Sequence, residues 1–548
     1  MLITLLLWLY ISVICLAVGD LVWKGFQQLA SERQELPLPA LAFLGWAGLT
    51  NFLGYTWLFL PAGIGLQLFV VLVVLGWYKY RRRYFQARLF QKRTLPSLFW
   101  LAFLSGAAVI LTRTTHLPRL VDTGGYHAPI IRWISEYAVI PGLANVNYRF
   151  GFNNASFLSE AFFSLSFLKV QSFHVLNGWL MLILFGWSLY SILQTFRVSN
   201  WYIIGFGVLF LWHSHWRLSS PSPDHPAQLL VGFLFYFLIR QVEGIGGRAE
   251  RILLVWLTLL AFTIKMSTLI ALLVPVSLFI LAIRQKDWKQ AGCMILVGLL
   301  PLIWWLTSNV ILTGYIIYPS DSALLDWFSF DWKVPAETIR QGLKNLSGGT
   351  KLSPVKGLLD FSWVLHWWTV QPIADKTVLL LLVSWPVLWL IQRKKISTFL
   401  TSYPGWPWLI CLAYAGILFW FINAPEMRFG MGFIVAGLLL PYAPFVQKIS
   451  VLVFLGLLIF HLALLYASFS RQATPLLIPN DYPKAQVNAY ILDGHPLYYA
   501  TDDPRITHGI KGYWGNCQDM TLPCCPYYNP NLVLRSSVLK DGFKIRTD

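Results

Sequence analysis

The hexapeptide Asp122-Thr123-Gly124-Gly125-Tyr126-His127 follows a hydrophobic run in a chain that is otherwise overwhelmingly apolar. It joins a carboxylate, an imidazole and two glycines, and lipid packing alone does not call for such a set. Downstream, Tyr126, Ile130, Trp133, Ile134 and Tyr137 recur at helical spacing. Pro129 is tolerated in a first turn, and Pro141-Gly142 reads as the stop. Asp122 therefore precedes a helix, where the N-terminal dipole favours an anion and holds its pKa down. An ionised carboxylate suits a general base or a metal ligand and not a general acid. Gly124 and Gly125 allow a tight bend or close approach of a ligand. The competing structural role is an N-cap supplied by Asp122 or Thr123.

Other ionisable residues stand at the ends of apolar runs. One run closes with His213-Ser-His215-Trp-Arg217, and Asp224-His225 opens the next. Lys265 interrupts a third, Tyr318-Pro319 leaves a fourth, and Glu426-Met-Arg428 precedes a fifth. His213 and His215 are two residues apart and do not share a helix face, which argues against a zinc site made from them. His213, His215, Asp224 and His225 are candidates to join Asp122 and His127 around a substrate hydroxyl. Arg217, Lys265 and Arg428, with Arg132 in the first loop, are candidate phosphate contacts, because cationic forks match phosphate oxygens.

These residues sit in a membrane protein. Of 548 residues, 57% are hydrophobic and 12% charged, whereas soluble domains are about a quarter charged. Hydropathy gives roughly fourteen spans, at about 2–19, 38–58, 61–79, 96–112, 172–194, 199–215, 225–240, 251–264, 267–283, 291–309, 376–392, 404–423, 429–446 and 450–469. Because lipid leaves no backbone group a water partner, such spans are helices. The fold expected is an all-α polytopic bundle with an amphipathic-helical first outer loop, its helices lying along the interface. The net charge of +18 reflects basic loops on the inner side and not a nucleic-acid site. Placing Lys79 to Arg83, Arg88, Lys92, Arg93, Arg248, Arg251, Arg284, Lys286, Lys289 and Arg393 to Lys395 inside puts both termini and segments 113–171, 310–375 and 471–548 outside. The first span reads as a retained helix and not a cleaved leader. Lys265 is expected at an outward turn between two short helices, since mid-membrane lysine is costly. Three parts follow: added spans and a basic loop (1–95), a membrane core (96–470) and a tail (471–548) with strand-like pieces. In that tail Cys517 and Cys524 are placed to close a disulfide in an oxidising compartment.

The pattern Asp122-Thr-Gly-Gly-Tyr-His-x-Pro-x-x-Arg132-Trp, then Glu136-Tyr-x-x-x-Pro141-Gly-Leu-Ala-Asn145 and Arg149-Phe-Gly-Phe-Asn153, resembles a family of bacterial multi-spanning membrane proteins. Leu522-Pro-Cys524, Asn531-Leu-x-Leu-Arg535 and Asp541-Gly-Phe543 resemble the same family. That family is in turn similar to the GT-C lipid-linked glycosyltransferases. The resemblance implies a GT-C-like bundle in the bacterial inner membrane, a polyprenyl-phosphate or polyprenyl-pyrophosphate sugar donor, and a glycan, lipid or protein acceptor. It also implies an acidic residue in the first outer loop that takes part in catalysis, a position that Asp122 matches. Many members carry paired acids there and use Mg or Mn, but Thr123 stands in the second position, so no metal ligand is assigned. Two other functions fit the same residues: a surface-polysaccharide polymerase or ligase, and a lipid-linked glycan transporter or flippase.

Overall fold

The computed structural model describes residues 1–89, 96–118, 120–169, 171–322, 324–351, 360–446, 456, 459–464, 466–467, 475–482, 487–500, 517–525 and 529–546. Helices dominate, and every expected span up to 429–446 is helical. Among the described residues, eight helical stretches are long and apolar enough to cross a membrane: Leu2–Ala30, Ile64–Arg83, Ser97–Thr115, Met266–Arg284, Trp288–Thr313, Ile373–Ile391, Trp406–Asn423 and Met427–Phe445. The expected span at 450–469 falls largely outside the described residues, as do Lys92 and Arg93.

The first two helices, Leu2–Ala30 and Leu38–Trp57, pack with their backbones in contact. A Cβ at Gly45 would stand 1.6 Å from the Cys15 carbonyl oxygen. In lipid, where no hydrophobic effect drives helices together, such close approach supplies the attraction. Leu2–Ala30 ends where Ser31 turns left-handed at φ 53°.

Polar groups gather at the two ends of the bundle. At one end, Asp20 receives Arg81 at 3.2 Å and Lys24 at 3.4 Å, and Arg240 meets the buried Glu250 at 2.7 Å. At the other end lie the chain start, the 116–171 loop and the tail. The Met1 ammonium donates to the Pro475 carbonyl at 3.0 Å, and the Asn480 amide to Thr115 at 3.1 Å.

The first loop departs from expectation in two ways. Its helices, Ala128–Glu136 and Ser156–Phe163, are buried rather than laid along an interface. Protein covers their faces: the Ala62 amide donates to Ile134 and the Val139 amide to Trp57, both at 3.0 Å, while Phe543 of the tail stands edge-on to Trp133 at 6.0 Å. The first helix also ends at Glu136, ahead of Pro141-Gly142, where Tyr137 turns extended.

The tail has strand structure. Val487–Leu492 and His495–Ala500 pair antiparallel, and Cys524–Cys525 adds parallel to the latter. Leu532–Leu534 pairs antiparallel with Phe543–Ile545. Cys517 and Cys524 are joined by a disulfide, with Cα atoms 6.0 Å apart.

Candidate functional site

Asp122 ends up at the centre of a charge network. Its backbone is helical and its side chain makes no cap bond, so the N-cap role does not hold. The next five residues, Thr123–His127, form a π-helical turn, a device frequent at functional sites. The carboxylate instead accepts from Arg149 at 2.6 Å through Oδ1 and from Arg428 at 3.3 Å through Oδ2. Burial alone would raise this carboxyl, but Arg149 foremost, with Arg428, outweighs burial and holds it below its ordinary value. Ion pairs keep Asp122 ionised.

Arg428 is the hub. Its Nε lies 3.4 Å from Asp224 Oδ2 and 2.7 Å from Glu426 Oε1. Asp224 in turn takes the Lys265 ammonium directly. The expected turn at Lys265 is present: helix Arg248–Ile264 stops, Lys265 is extended, and a 3-10 stretch, Met266–Leu272, resumes. Lys265 also lies 3.6 Å over the Phe429 ring. Segments near 122, 149, 224, 265 and 428 thus meet in one polar cluster at one end of an apolar bundle.

Gln228, one turn after Asp224 on Asp224–Val242, fastens the parts. Its side-chain carbonyl accepts from the Gly432 amide at 2.9 Å, and its amide donates to the Phe429 carbonyl at 2.7 Å and to Ser267 Oγ at 3.4 Å. One buried side chain therefore ties the helix of Asp224 to the helix of Arg428 and to the Lys265 break. Thr123 and Ser220 share a hydroxyl bond of 2.7 Å, and Asn177 donates to the carbonyls of Ser220 and Ser222 at 2.8 and 3.0 Å. These bonds join the Asp122 loop to the segment leading into Asp224.

The other expected residues distribute as follows. His127 is buried against Tyr126 and Phe157, with ring centroids at 4.2 and 5.5 Å. Burial drives its pKa down to about 3, so it is neutral at ordinary pH. His213 Nδ1 lies 3.9 Å from Asp375 Oδ1. His215 Nδ1 bonds the Trp212 carbonyl at 2.8 Å, a local helix-end contact. His225 Nε2 lies 3.4 Å from the Ser214 carbonyl. Arg217 stacks 4.1 Å over Trp216 and, among the described residues, makes no ion pair. Buried nitrogens without hydrogen-bond partners collect here: His213 Nε2, Arg217 Nε and His225 Nδ1. Such atoms cost free energy unless a ligand or water meets them.

Two expected residues lie elsewhere. Arg132 bonds Glu136 at 2.7 Å and the tail at Asp519, 3.6 Å to the carboxylate and 3.1 Å to the carbonyl. It holds the tail rather than the cluster, because the helix bearing it points its polar face toward 517–525. Tyr318 is buried with Tyr315, Val334 and Ile339, 6.0 Å from the Phe152 ring. It packs behind the loop.

Arg149 and Gln228 were not singled out as site residues in the sequence, yet each had a signal. Arg149 is a cation in a loop of aromatic residues, and Gln228 is an amide in an apolar helix at i+4 from Asp224.

The sequence model of the family described as "Domain of unknown function (DUF8201)" matches residues 1–435. The chain belongs to that family. No curated protein and no solved structure matches it. The matched region contains the whole cluster from Asp122 to Arg428 and stops before the tail.

The donor set does not fit a divalent cation. Each Asp122 oxygen already accepts from a guanidinium, and among the described residues no three His, Cys, Asp or Glu side chains are grouped to hold a metal.

Proposed function

We propose that the protein is a membrane glycosyltransferase that takes sugar from a polyprenyl-phosphate or polyprenyl-pyrophosphate donor at the outer face of the bacterial inner membrane, with both termini in the periplasm. The products are cell-envelope polysaccharide or modified glycan, and the acceptor is a glycan, lipid or protein hydroxyl. The supporting observation is the meeting of Asp122, Asp224, Arg428 and Lys265 in one polar cluster beside Arg217, which makes no ion pair among the described residues.

In this reading the acceptor oxygen bonds to the anomeric carbon, the bond from that carbon to the phosphate oxygen breaks, and the electron pair leaves on the phosphate. Arg217 and Arg428 stabilise the charge that develops there. Asp122 holds the acceptor hydroxyl and receives its proton. Its lowered pKa makes it a stronger positioning group than base. His127, neutral, accepts or donates one hydrogen bond to the sugar. No step requires a metal.

The test is transfer of labelled sugar from a polyprenyl-linked donor by the purified protein. Asp122→Asn is expected to lose on the order of 10²–10⁴-fold in rate. Turnover of that variant at the wild-type rate would remove Asp122 from the mechanism. One observation favours a second reading: a helix broken at Lys265 beside a buried ion pair is a device of transporters. Scrambling of labelled glycolipid with no sugar transfer would support that reading instead. Consumption of a lipid-linked oligosaccharide but not of a single-sugar donor would point to a polymerase or ligase.

A further inference from the structure

A groove of about 730 Å³ opens at the other end of helix Ile373–Ile391. Asp375, near the helix start, faces His213 of the polar site. At 1.5 Å per residue the groove lies about 15–25 Å along the helix from it. One wall is Trp385, Trp389 and Leu390, and the other is Ile396 and Leu400 of the short helix Arg393–Ser402. The tryptophans are held in place: Trp389 Nε1 donates to the Pro441 carbonyl at 2.8 Å, and the two rings meet at 4.9 Å. The groove is apolar, and its first wall belongs to a helix apolar enough to span a membrane.

Arg393 lines the groove at its end. Arg393, Lys394 and Lys395 follow in sequence and are all exposed. From Lys376 to Pro425 the chain has no acidic residue. Among the described residues none of the three cations pairs with a carboxylate; Lys395 lies 5.5 Å over the Phe445 ring. An apolar slot at membrane depth that ends in uncompensated positive charge matches a molecule with a hydrocarbon chain and an anionic head. Tryptophan at the junction fits the headgroup boundary.

We propose that this groove is a binding site for an anionic phospholipid of the surrounding bilayer. The headgroup phosphate sits at Arg393, with Lys394 and Lys395 adding charge nearby, and an acyl chain lies against Trp385, Trp389 and Leu400. A zwitterionic lipid fits the slot but leaves the cations without a counter-charge. The site does not depend on the transferase reading and lies at the opposite end of the bundle.

The experiment uses the full chain, purified in detergent, with native mass spectrometry to count retained lipid. Phosphatidylglycerol and phosphatidylcholine of the same chain length are the probes. Each basic residue near an anionic head contributes about fivefold in affinity, so wild type should retain phosphatidylglycerol at least tenfold more tightly. The exposed triple variant Arg393→Ala, Lys394→Ala, Lys395→Ala should erase that preference and keep its elution as a folded monodisperse species. Trp389→Ala, read the same way, should weaken both lipids. Equal retention of the two lipids by wild type, or an undiminished preference in the triple variant, would overturn the proposal. If the triple variant fails to fold, Arg393→Gln with Lys394→Gln serves, and the same two results decide.

Discussion

At the residue scale, the ion cluster separates charges that stabilise from one that does not. Asp224 is nearly buried and faces Lys265 and Arg428. Removing one member of a buried pair strands the other, at a cost of about 3–5 kcal/mol. Asp224→Ala should therefore lower the melting temperature strongly. Arg217 has no ion pair among the described residues, so Arg217→Ala should leave the melting temperature unchanged or raised while slowing transfer, seen as a lower kcat with KM less affected. A large loss of melting temperature in Arg217→Ala would show a partner that the cluster reading lacks. His127 supplies a pH signature. Its folded pKa of about 3 lies below its ordinary 6.5 because burial disfavours the imidazolium. Stability tied to the neutral ring is complete above about pH 6.5 and drains as pH falls from 6.5 toward 3. His127→Gln should flatten the stability profile in that window, measured by thermal unfolding against pH, and leave it unaltered at pH 8. The types of these residues were legible in the sequence because charge is rare there and stands out. Their partners were not. Asp122 meets Arg149 and Arg428, which are 27 and 306 residues away, and no local pattern carries a pairing of that range.

At the element scale, two fastenings set where the cluster stands. The first is Gln228, whose amide spans the Asp224 helix, the Arg428 helix and the Lys265 break. Gln228→Leu should lower transfer well beyond the roughly 1–3 kcal/mol expected in stability for stranded buried partners. Gln228→Glu, which can still accept from the Gly432 amide, should recover part of the rate. Equal rates in the two variants would reduce Gln228 to packing. The second fastening is the tail on the first loop. Gly142 is left-handed at φ 67°, and a Cβ there would stand 2.1 Å from the Phe543 carbonyl oxygen. The Phe543 amide itself bonds the Pro141 carbonyl at 3.0 Å. Gly142→Ala should therefore loosen the strand Phe543–Ile545 and speed limited proteolysis of the tail. Gly124→Ala first meets the flexible Gln518 side chain and should do so far less. Helices were legible from periodicity, and so was the break at Lys265, because a lysine cannot stay in the middle of an apolar run without a partner. The burial of the loop helices was not legible. An amphipathic stripe predicts that one face is covered, but it does not say whether lipid or protein covers it, and here the tail and helix Leu38–Trp57 do.

At the scale of the whole molecule, the two ends of the bundle differ in kind. One end gathers both described chain ends, the 116–171 loop and the mixed-charge cluster, with the Met1 ammonium bonded to Pro475. The other carries Arg81 on Asp20, Arg240 on Glu250, and the basic run Arg393 to Lys395. The sequence expects its basic loops on one side and both termini on the other. Under the positive-inside bias the Asp122 end would face out, a placement that can be measured. Cysteines introduced at exposed Ser537 and exposed Lys395 should differ in reach. In intact cells with the outer barrier opened, a membrane-impermeant maleimide should label Ser537→Cys at once and Lys395→Cys only after the inner membrane is breached. Labelling of both from outside would contradict the two-ended bundle itself. The reverse pattern would keep the bundle and invert it, placing Asp122 and Arg428 on the inner side. A donor presented at the outer face could then not reach them, and the transfer reaction would have to draw on an inner-leaflet lipid instead.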